Sequence, residues 1–425
     1  MKKVLRVIAD LKFAISLLVI ISVTITIGSI IEQDQTLEYY KENYPEIRPL
    51  FGFLTWKFID FIGIDHLYRT IWFIALLIIF GTSLISCTFL QQFPTLKFSR
   101  RCNFFVKKKL DIETLINQEN LGKFINKIIN QGYYIYQQKT NFYATKGIIG
   151  RVAPVFVHLS ILLILFGSII AALCGFNAQE LIPKSEIIHI QNTVIAAPLS
   201  RFSQQSIRVN DFWINYYKDS KIKQFYSNIS ILNDNGLEIL NKTISVNQPL
   251  IYKNLTLYQT DWTFVGLRFQ ETNKSFQIPV ILTKNMGNKV WFSWLPFKSS
   301  FTKENFLGET LLINNYKENI LTYDLKGNLM NEVDKNEKVI ENHYELIDFI
   351  SSTGLQIKSD PGTIFIYFGF GFLMLSTFLS YLSFSQIWGI FDDLKNKKNL
   401  IVLGKTSRSK FSFDTEIFKI TKDLN

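Results

Sequence analysis

Hydrophobic positions along this chain fall into two regimes. Four stretches are apolar almost without interruption: residues 13–31 (FAISLLVIISVTITIGSII), 71–90 (IWFIALLIIFGTSLISCTFL), 152–176 (VAPVFVHLSILLILFGSIIAALCGF) and 362–384 (GTIFIYFGFGFLMLSTFLSYLSF). A bilayer core of about 30 Å needs roughly 20 apolar residues in helical form, so each predicts a transmembrane helix. Elsewhere the pattern shortens to alternation. SIRVNDFWINYY (206–217), FYSNISIL (225–232), LEILNKTISV (237–246), NLTLYQTDWTFVGLRF (254–269) and FQIPVIL (276–282) place β-branched and aromatic residues at period two. Turn signals such as Asn233-Asp234-Asn235-Gly236 and Met286-Gly287-Asn288 separate them.

The expected fold is a membrane α-helical protein of four transmembrane helices, with a large, mostly antiparallel β extramembrane domain, 177–361, inserted between helices 3 and 4. Within that domain, 305–350 is more polar, and 327–346 reads as a flexible excursion. Loop 91–151 reads as a basic run (Lys97, Arg100, Arg101, Lys107, Lys108, Lys109), an amphipathic helix at 112–131 and a hairpin-like piece, GYYIYQQKTNFYATKG. Residues 1–12 and 385–425 are terminal segments.

Charge orients the spans. Lys+Arg 46 against Asp+Glu 35 gives +11, a balance that suits nucleic acid until it is mapped. Residues 1–12 hold four basic and one acidic residue, loop 32–70 four and seven, loop 91–151 eleven and three, and the tail 385–425 eight and five. The alternation is that of the positive-inside rule. It puts both termini and loop 91–151 on the cytoplasmic-type side and 32–70 and 177–361 on the other. The excess charge is thereby topology, with attraction to anionic lipid headgroups, and no nucleic-acid partner is expected. The first span lacks an A-x-A-like cleavage site at Ile31-Glu32-Gln33 and reads as an uncleaved helix rather than a signal peptide.

With 48% hydrophobic, 15% aromatic and 19% charged residues, the 425-residue chain is too apolar for disorder. Three cysteines with no CxxC pair exclude a disulfide scaffold, a four-thiolate cluster, a thioredoxin-like motif and a CxxCH haem attachment site. Cys87 and Cys174 read as small buried hydrophobes, and Cys102 beside Arg101 as a thiol of somewhat lowered pKa. No nucleotide-binding, nucleophile-elbow or zincin motif occurs, and Asp392-Asp393 reads as solvated. No catalytic residue is assigned.

Of four histidines only His158 falls inside a span, roughly 10 Å along the helix past Arg151 at about 1.5 Å per residue. Ionisable groups there face a bundle interior, a ligand or a proton path. Three readings stand: an imidazole hydrogen-bonded to a Ser or Thr of a neighbouring span, a haem ligand, or a proton relay. His66 reads as an interfacial residue with Tyr68 and Trp72; His189 and His343 read as solvated or structural.

Six colinear segments resemble the ResB/CcsB family of System II cytochrome c biogenesis proteins. They are LKFAISLLVIISVTITIGSIIEQ (11–33, then Tyr39-Tyr40), WFIALLIIFGTSLISCTFLQQFPTLK (72–97), GRVAPVFVHLSILLILFGSIIAALCGF (150–176), NDFWINYYKDSKIKQFYSNISIL (210–232), VNQPLIYKNLTLYQTDW (246–262) and DPGTIFIYFGFGFLMLSTFLSYLSFSQIW (360–388). The resemblance implies a subunit of a haem lyase complex, paired with a CcsA-type partner that bears a Trp-rich motif missing here. Together they carry haem b across the membrane and attach it to apocytochromes c. It implies His158 as an axial ligand of haem iron, with the opposite ligand from the partner. Asp360 matches a family motif, and helix capping with Pro361 in the first turn is its simplest role. Trp213, Tyr258 and Trp262 are candidate contacts for haem or partner, against the alternative of ordinary β-core aromatics. A plastid-encoded thylakoid protein is expected, with a bacterial membrane as the alternative. The rival function is a non-catalytic membrane scaffold or sensor whose lumenal domain binds partner proteins.

Overall fold

The computed structural model describes residues 2–47, 49, 52, 54–94, 104, 112–117, 120–139, 141–201, 205–217, 222–272, 274–283, 289–296, 308–314, 319–339, 344–392 and 399–422, without the side chains of 2–4, 117, 391, 392 and 399. The basic run at 97–109, Cys102, His343 and Asp393 lie outside these residues. Among the described residues the α-helices are α1 (Lys2–Ile8), α2 (Leu11–Ile30), α3 (Leu37–Asn43), α4 (Trp56–Ile62), α5 (Ile71–Cys87), α6 (Leu121–Asn130), α7 (Ile148–Cys174), α8 (Thr363–Ser380) and α9 (Lys410–Thr421). Four of them, α2, α5 with its extension to Gln92, α7 and α8, are long and apolar enough to cross a membrane. The chain divides into two compact units, Met1–Ala172 with Gly362–Asn425, and Leu173–Pro361.

In the first unit, α2 and α5 interlock through Leu17, Ile21, Phe73, Leu77, Phe80 and Leu84, and α7 lays Ile161, Leu162, Leu165 and Ile169 against them. The opposite face of α7 is built differently. Ala153, Ser160 and Gly167 recur every seven residues and are buried, and Gly369 and Ser376 do the same on α8. A Cβ on Gly167 would stand 2.9 Å from Gly362 O, and one on Gly369 only 2.6 Å from Ile164 Cγ1. Small residues let the two backbones approach where no hydrophobic gain drives helices together.

The helix ends follow from local chemistry. Asp10 accepts from Lys12 N at the start of α2, and Thr70 accepts from Phe73 N at the start of α5. Helix α8 is capped instead by Gly362 with no side-chain bond. Asp360 stands two residues before Gly362, 3.9 Å from Lys358 Nζ. Between α2 and α5, the Gln33 amide donates to the carbonyls of Gly28, Ile31 and Ile64 and accepts from Leu67 N. With the Arg69–Asp34 ion pair, this ties the two ends of 32–70 together.

One expectation for this unit needs correction. Residues 112–131 are not one helix: Ile112–Asn117 is a strand, and the helix covers only Leu121–Asn130. The tail 385–425 is built into this unit. It contributes two strands to a five-stranded antiparallel sheet, in the order Ile112–Asn117, Asn399–Thr406, Ser385–Asp392, Asn141–Lys146, Tyr134–Gln138. The hairpin at 134–146 appears as expected. Helices α6 and α9 cover one face through Phe124, Ile128, Phe413, Ile417 and Ile420, while Tyr143, Trp388 and Leu403 cluster apart from that core.

The second unit is all antiparallel. Its central sheet runs Leu250–Tyr252, Leu255–Glu271, Tyr344–Ser359, Phe176–Pro183, Thr193–Ala196, with Lys274–Pro279 and Lys338–Val339 on its flanks. A four-stranded sheet (Ile187–Ile188, Ser206–Tyr216, Ile222–Leu232, Glu238–Ser245) shares a core with it through Ile207, Val209, Ile229, Leu257, Leu355 and Ile357. A five-stranded sheet (Ile281–Thr283, Val290–Pro296, Gly308–Ile313, Asn319–Tyr323, Leu329–Asp334) shares a second core through Trp291, Leu311, Ile320, Phe264, Phe269 and Phe349. The two cores lie along one pair of long strands, which bulges at Gln259/Asp261, Phe264/Gly266 and Arg268/Phe269 bend.

Within 327–346, expected as a flexible excursion, the described residues include the strands Leu329–Asp334 and Lys338–Val339. Only Val333 of the former is buried, so an edge strand here carries a polar sequence.

One buried carboxylate holds this unit's loop at 191–192. Glu180 accepts from Gln191 N, Asn192 N and Asn192 Nδ2 at 2.7–2.8 Å. Glu180→Ala leaves two main-chain donors without their acceptor, a cost of about 3 kcal/mol, or about 6–12 °C in melting temperature. Circular dichroism of the detergent-purified chain checks this, and an unchanged melting curve rejects it.

Candidate functional site

His158 lies on α7 among the residues that face α5: Ile161, Leu162 and Leu165 follow it at helical spacing. Its Nδ1 is 2.9 Å from Thr88 Oγ1. Thr88 is buried, and its hydroxyl donates to Leu84 O at 2.7 Å. Of the partners open to an intramembrane imidazole, a threonine of another span is the one present.

Thr88 opens a π-helical turn, Thr88–Gln92, in which Phe93 N–H reaches back to Thr88 O. Such turns insert a residue into an α-helix, re-aim the side chains around it and occur often at functional sites. This turn is anchored. Gln91 Nε2 donates to Ala9 O at 2.8 Å, Cys87 Sγ donates to Gln91 Oε1 at 3.7 Å, and one turn earlier Ser83 Oγ donates to Ile8 O at 2.7 Å. Thr88, the partner of His158, thus belongs to a stretch of α5 and its π turn that carries several polar contacts in an otherwise apolar bundle. The sequence carries no signal for Thr88, one hydroxyl among several in apolar runs; the π turn that aims it is a property of packing.

The other sequence candidates do not converge on one site. Trp213 stacks on Tyr226 across neighbouring strands, with ring centroids 5.5 Å apart, on the face opposite buried Phe212 and Ile214. Trp262 packs on Trp291 and Phe225 at the margin of a core cluster, with Lys289 Nζ 5.2 Å above its ring. Tyr258 is exposed and points away from its buried neighbours Leu257 and Gln259. His66 is half-exposed, with Nδ1 2.9 Å from Asp65 Oδ1, and His189 stands 3.5 Å from Ser206 Oγ. Among the described residues no group of three or more His, Cys, Asp or Glu is placed to hold a metal ion, and Cys87 and Cys174 are free thiols.

Two comparisons bear on this arrangement. A family model described as ResB-like matches residues 11–292 and 298–418. The cytochrome c biogenesis protein Ccs1 of Heterosigma akashiwo (strain CCMP452 / OLISTH) is 58% identical over 425 residues, covering 100% of both chains. That of Trieres chinensis is 47% identical, over 99% of this chain and all of its own. The cytochrome c biogenesis protein CcsB of Crocosphaera subtropica is 41% identical, over all of this chain and 94% of its own. Identity at this level over essentially the whole length, with both compact units inside the matched residues, leads to one conclusion: the chain belongs to the ResB-like family.

Proposed function

We propose that this chain is a membrane assembly factor for c-type cytochromes that serves haem delivery and attachment as a subunit of a System II cytochrome c synthase complex. The observation that carries this reading is the end-to-end similarity to relatives named cytochrome c biogenesis proteins. Haem b is the cargo rather than a resident cofactor.

His158 suits the cargo chemically. Nδ1 is engaged by Thr88, while Nε2 makes no hydrogen bond among the described residues, so one imidazole nitrogen is left to serve as an axial donor to iron. The spans contain no other histidine, and the second axial ligand belongs to a CcsA-type partner. The excess of Lys and Arg in 1–12, 91–151 and 385–425 supports stromal termini and a lumenal domain over 177–361, and the relatives from Trieres chinensis and Crocosphaera subtropica favour a thylakoid membrane. On the lumenal side, apocytochrome c meets the delivered haem. Trp213 and Tyr258, which present rings outside the cores, are better placed as contacts there than Trp262, and Asp360 marks the entrance of the fourth span.

The test is an absorption spectrum of the chain purified in detergent after co-expression with its partner. His158→Ala lowers the reduced haem band per protein at least tenfold, about 1.4 kcal/mol or more of binding free energy, with the protein still inserted. Equal haem in variant and parent removes His158 from iron and leaves a scaffold whose partner handles haem alone.

A further inference from the structure

We infer that Thr88 is a positioning residue for His158: it accepts a hydrogen bond from Nδ1, holds the imidazole as the Nδ1–H tautomer and leaves the Nε2 lone pair as the donor to iron. This rests on the haem-delivery reading above.

The argument is a proton count. A threonine hydroxyl has one proton and two lone pairs. Thr88 Oγ1 places that proton on Leu84 O, 2.7 Å away. Only lone pairs remain toward His158, so the 2.9 Å contact runs from imidazole N–H to hydroxyl oxygen. The reverse assignment would set two acceptor oxygens 2.7 Å apart with no proton between them, inside an apolar bundle where unsatisfied polar groups are costly. A neutral imidazole carries a single N–H, and with it on Nδ1 the other nitrogen is bare.

The arrangement extends beyond a pair. Leu84 O, Thr88 Oγ1 and His158 Nδ1 form a chain of hydrogen bonds from the α5 backbone to the ring, which fixes ring rotation as well as tautomer. The π turn aims the hydroxyl, and Gln91 in the same turn is bonded to Ala9 O. A ligating histidine is oriented, and its basicity raised, by whatever accepts its other N–H. Here a neutral hydroxyl does this, a weaker acceptor than a carboxylate.

The test uses the full chain co-expressed with its partner, comparing Thr88→Val, Thr88→Ala, Thr88→Ser and His158→Ala. Three quantities are read: inserted protein by immunoblot, haem per protein from the reduced absorption band, and the midpoint potential of bound haem. Thr88→Val and Thr88→Ala are expected to lose haem about 10- to 100-fold per inserted chain. Their residual haem has a higher midpoint potential, because an imidazole without an Nδ1 acceptor is a poorer donor. Thr88→Ser keeps the hydroxyl and stays within about twofold of the parent. Parental haem and potential in both hydroxyl-less variants, with haem lost in His158→Ala, overturns the positioning role alone. A Thr88→Ser variant as poor as Thr88→Val overturns it too, because methyl packing would then be the cause. Haem retained in His158→Ala overturns the ligand reading itself.

Discussion

Removing residues 385–425 is expected to destroy the five-stranded domain of the first unit rather than trim it. The strands Asn399–Thr406 and Ser385–Asp392 are second and third in the sheet. Without them Ile112–Asn117 loses its only strand partner among the described residues, and the 134–146 hairpin is left as an isolated pair, marginal at best in water. The shared core would lose Ile387, Leu400, Val402, Phe413, Ile417 and Ile420, leaving Ile116, Phe124, Ile128 and Phe142 uncovered. At about 1.5–3 kcal/mol per large apolar side chain, the loss is about 10 kcal/mol or more, comparable to the whole stability of a typical domain.

The truncated chain should therefore accumulate poorly in membranes, and trypsin should cut it within 112–147, where the complete chain resists. Gly389→Val attacks the same core from inside. A Cβ at Gly389 falls within the ring of buried Phe142, so partial sensitivity at the same sites is expected. A truncated chain that matches the parent in abundance and cleavage pattern refutes the structural role of these strands.

That role was not legible in the sequence, for a physical reason. The spans declare themselves because a bilayer demands long runs without charge, and the strands of the second unit because one buried face imposes period two. The strand Ser385–Asp392 pairs with Asn141–Lys146 across more than two hundred residues, two spans and an entire second unit. Its own pattern, SQIWGIFD, is too short to name a partner. At Ile112–Asn117 the neighbouring amphipathic helix lent its period to the strand before it. At Leu329–Asp334 an edge position lets a strand be polar. For the candidate site, His158 stood out because an imidazole is conspicuous among aliphatic residues. Thr88 did not, because threonines in such runs usually bond to their own helix, as Thr24 and Thr26 do.

The seam between α7 and α8 should be the least tolerant surface of the helical bundle. Gly369→Leu is expected to prevent accumulation of the protein, or to lower its melting temperature in detergent by more than about 10 °C, since overpacking alone costs typically 1–3 kcal/mol and here pushes on main chain. The room is simply absent: a Cβ at position 369 would already meet Ile164 Cγ1 at 2.6 Å and Ile164 N at 3.2 Å. Gly369→Ala separates packing from propensity. Alanine favours a helix by about 1 kcal/mol over glycine, so any loss of stability is steric. Ser160→Ala and Ser376→Ala should be nearly silent, because those hydroxyls bond within their own helices, to Phe156 O and Leu373 O. Gly371→Leu, at a position of α8 where a Cβ would meet nothing within 4 Å, is the control for volume without contact. The consequence reaches the site, because α7 presents the seam on one face and His158 on the other. Pushing α8 away leaves α7 with its aliphatic face against α2 and α5 and the His158–Thr88 hydrogen bond. On the haem-delivery reading proposed above, Gly369→Ala should then also carry less haem even where the protein inserts normally. If Gly369→Leu instead melts and binds haem as the parent does, the close approach of the two backbones is not what holds α7 in place.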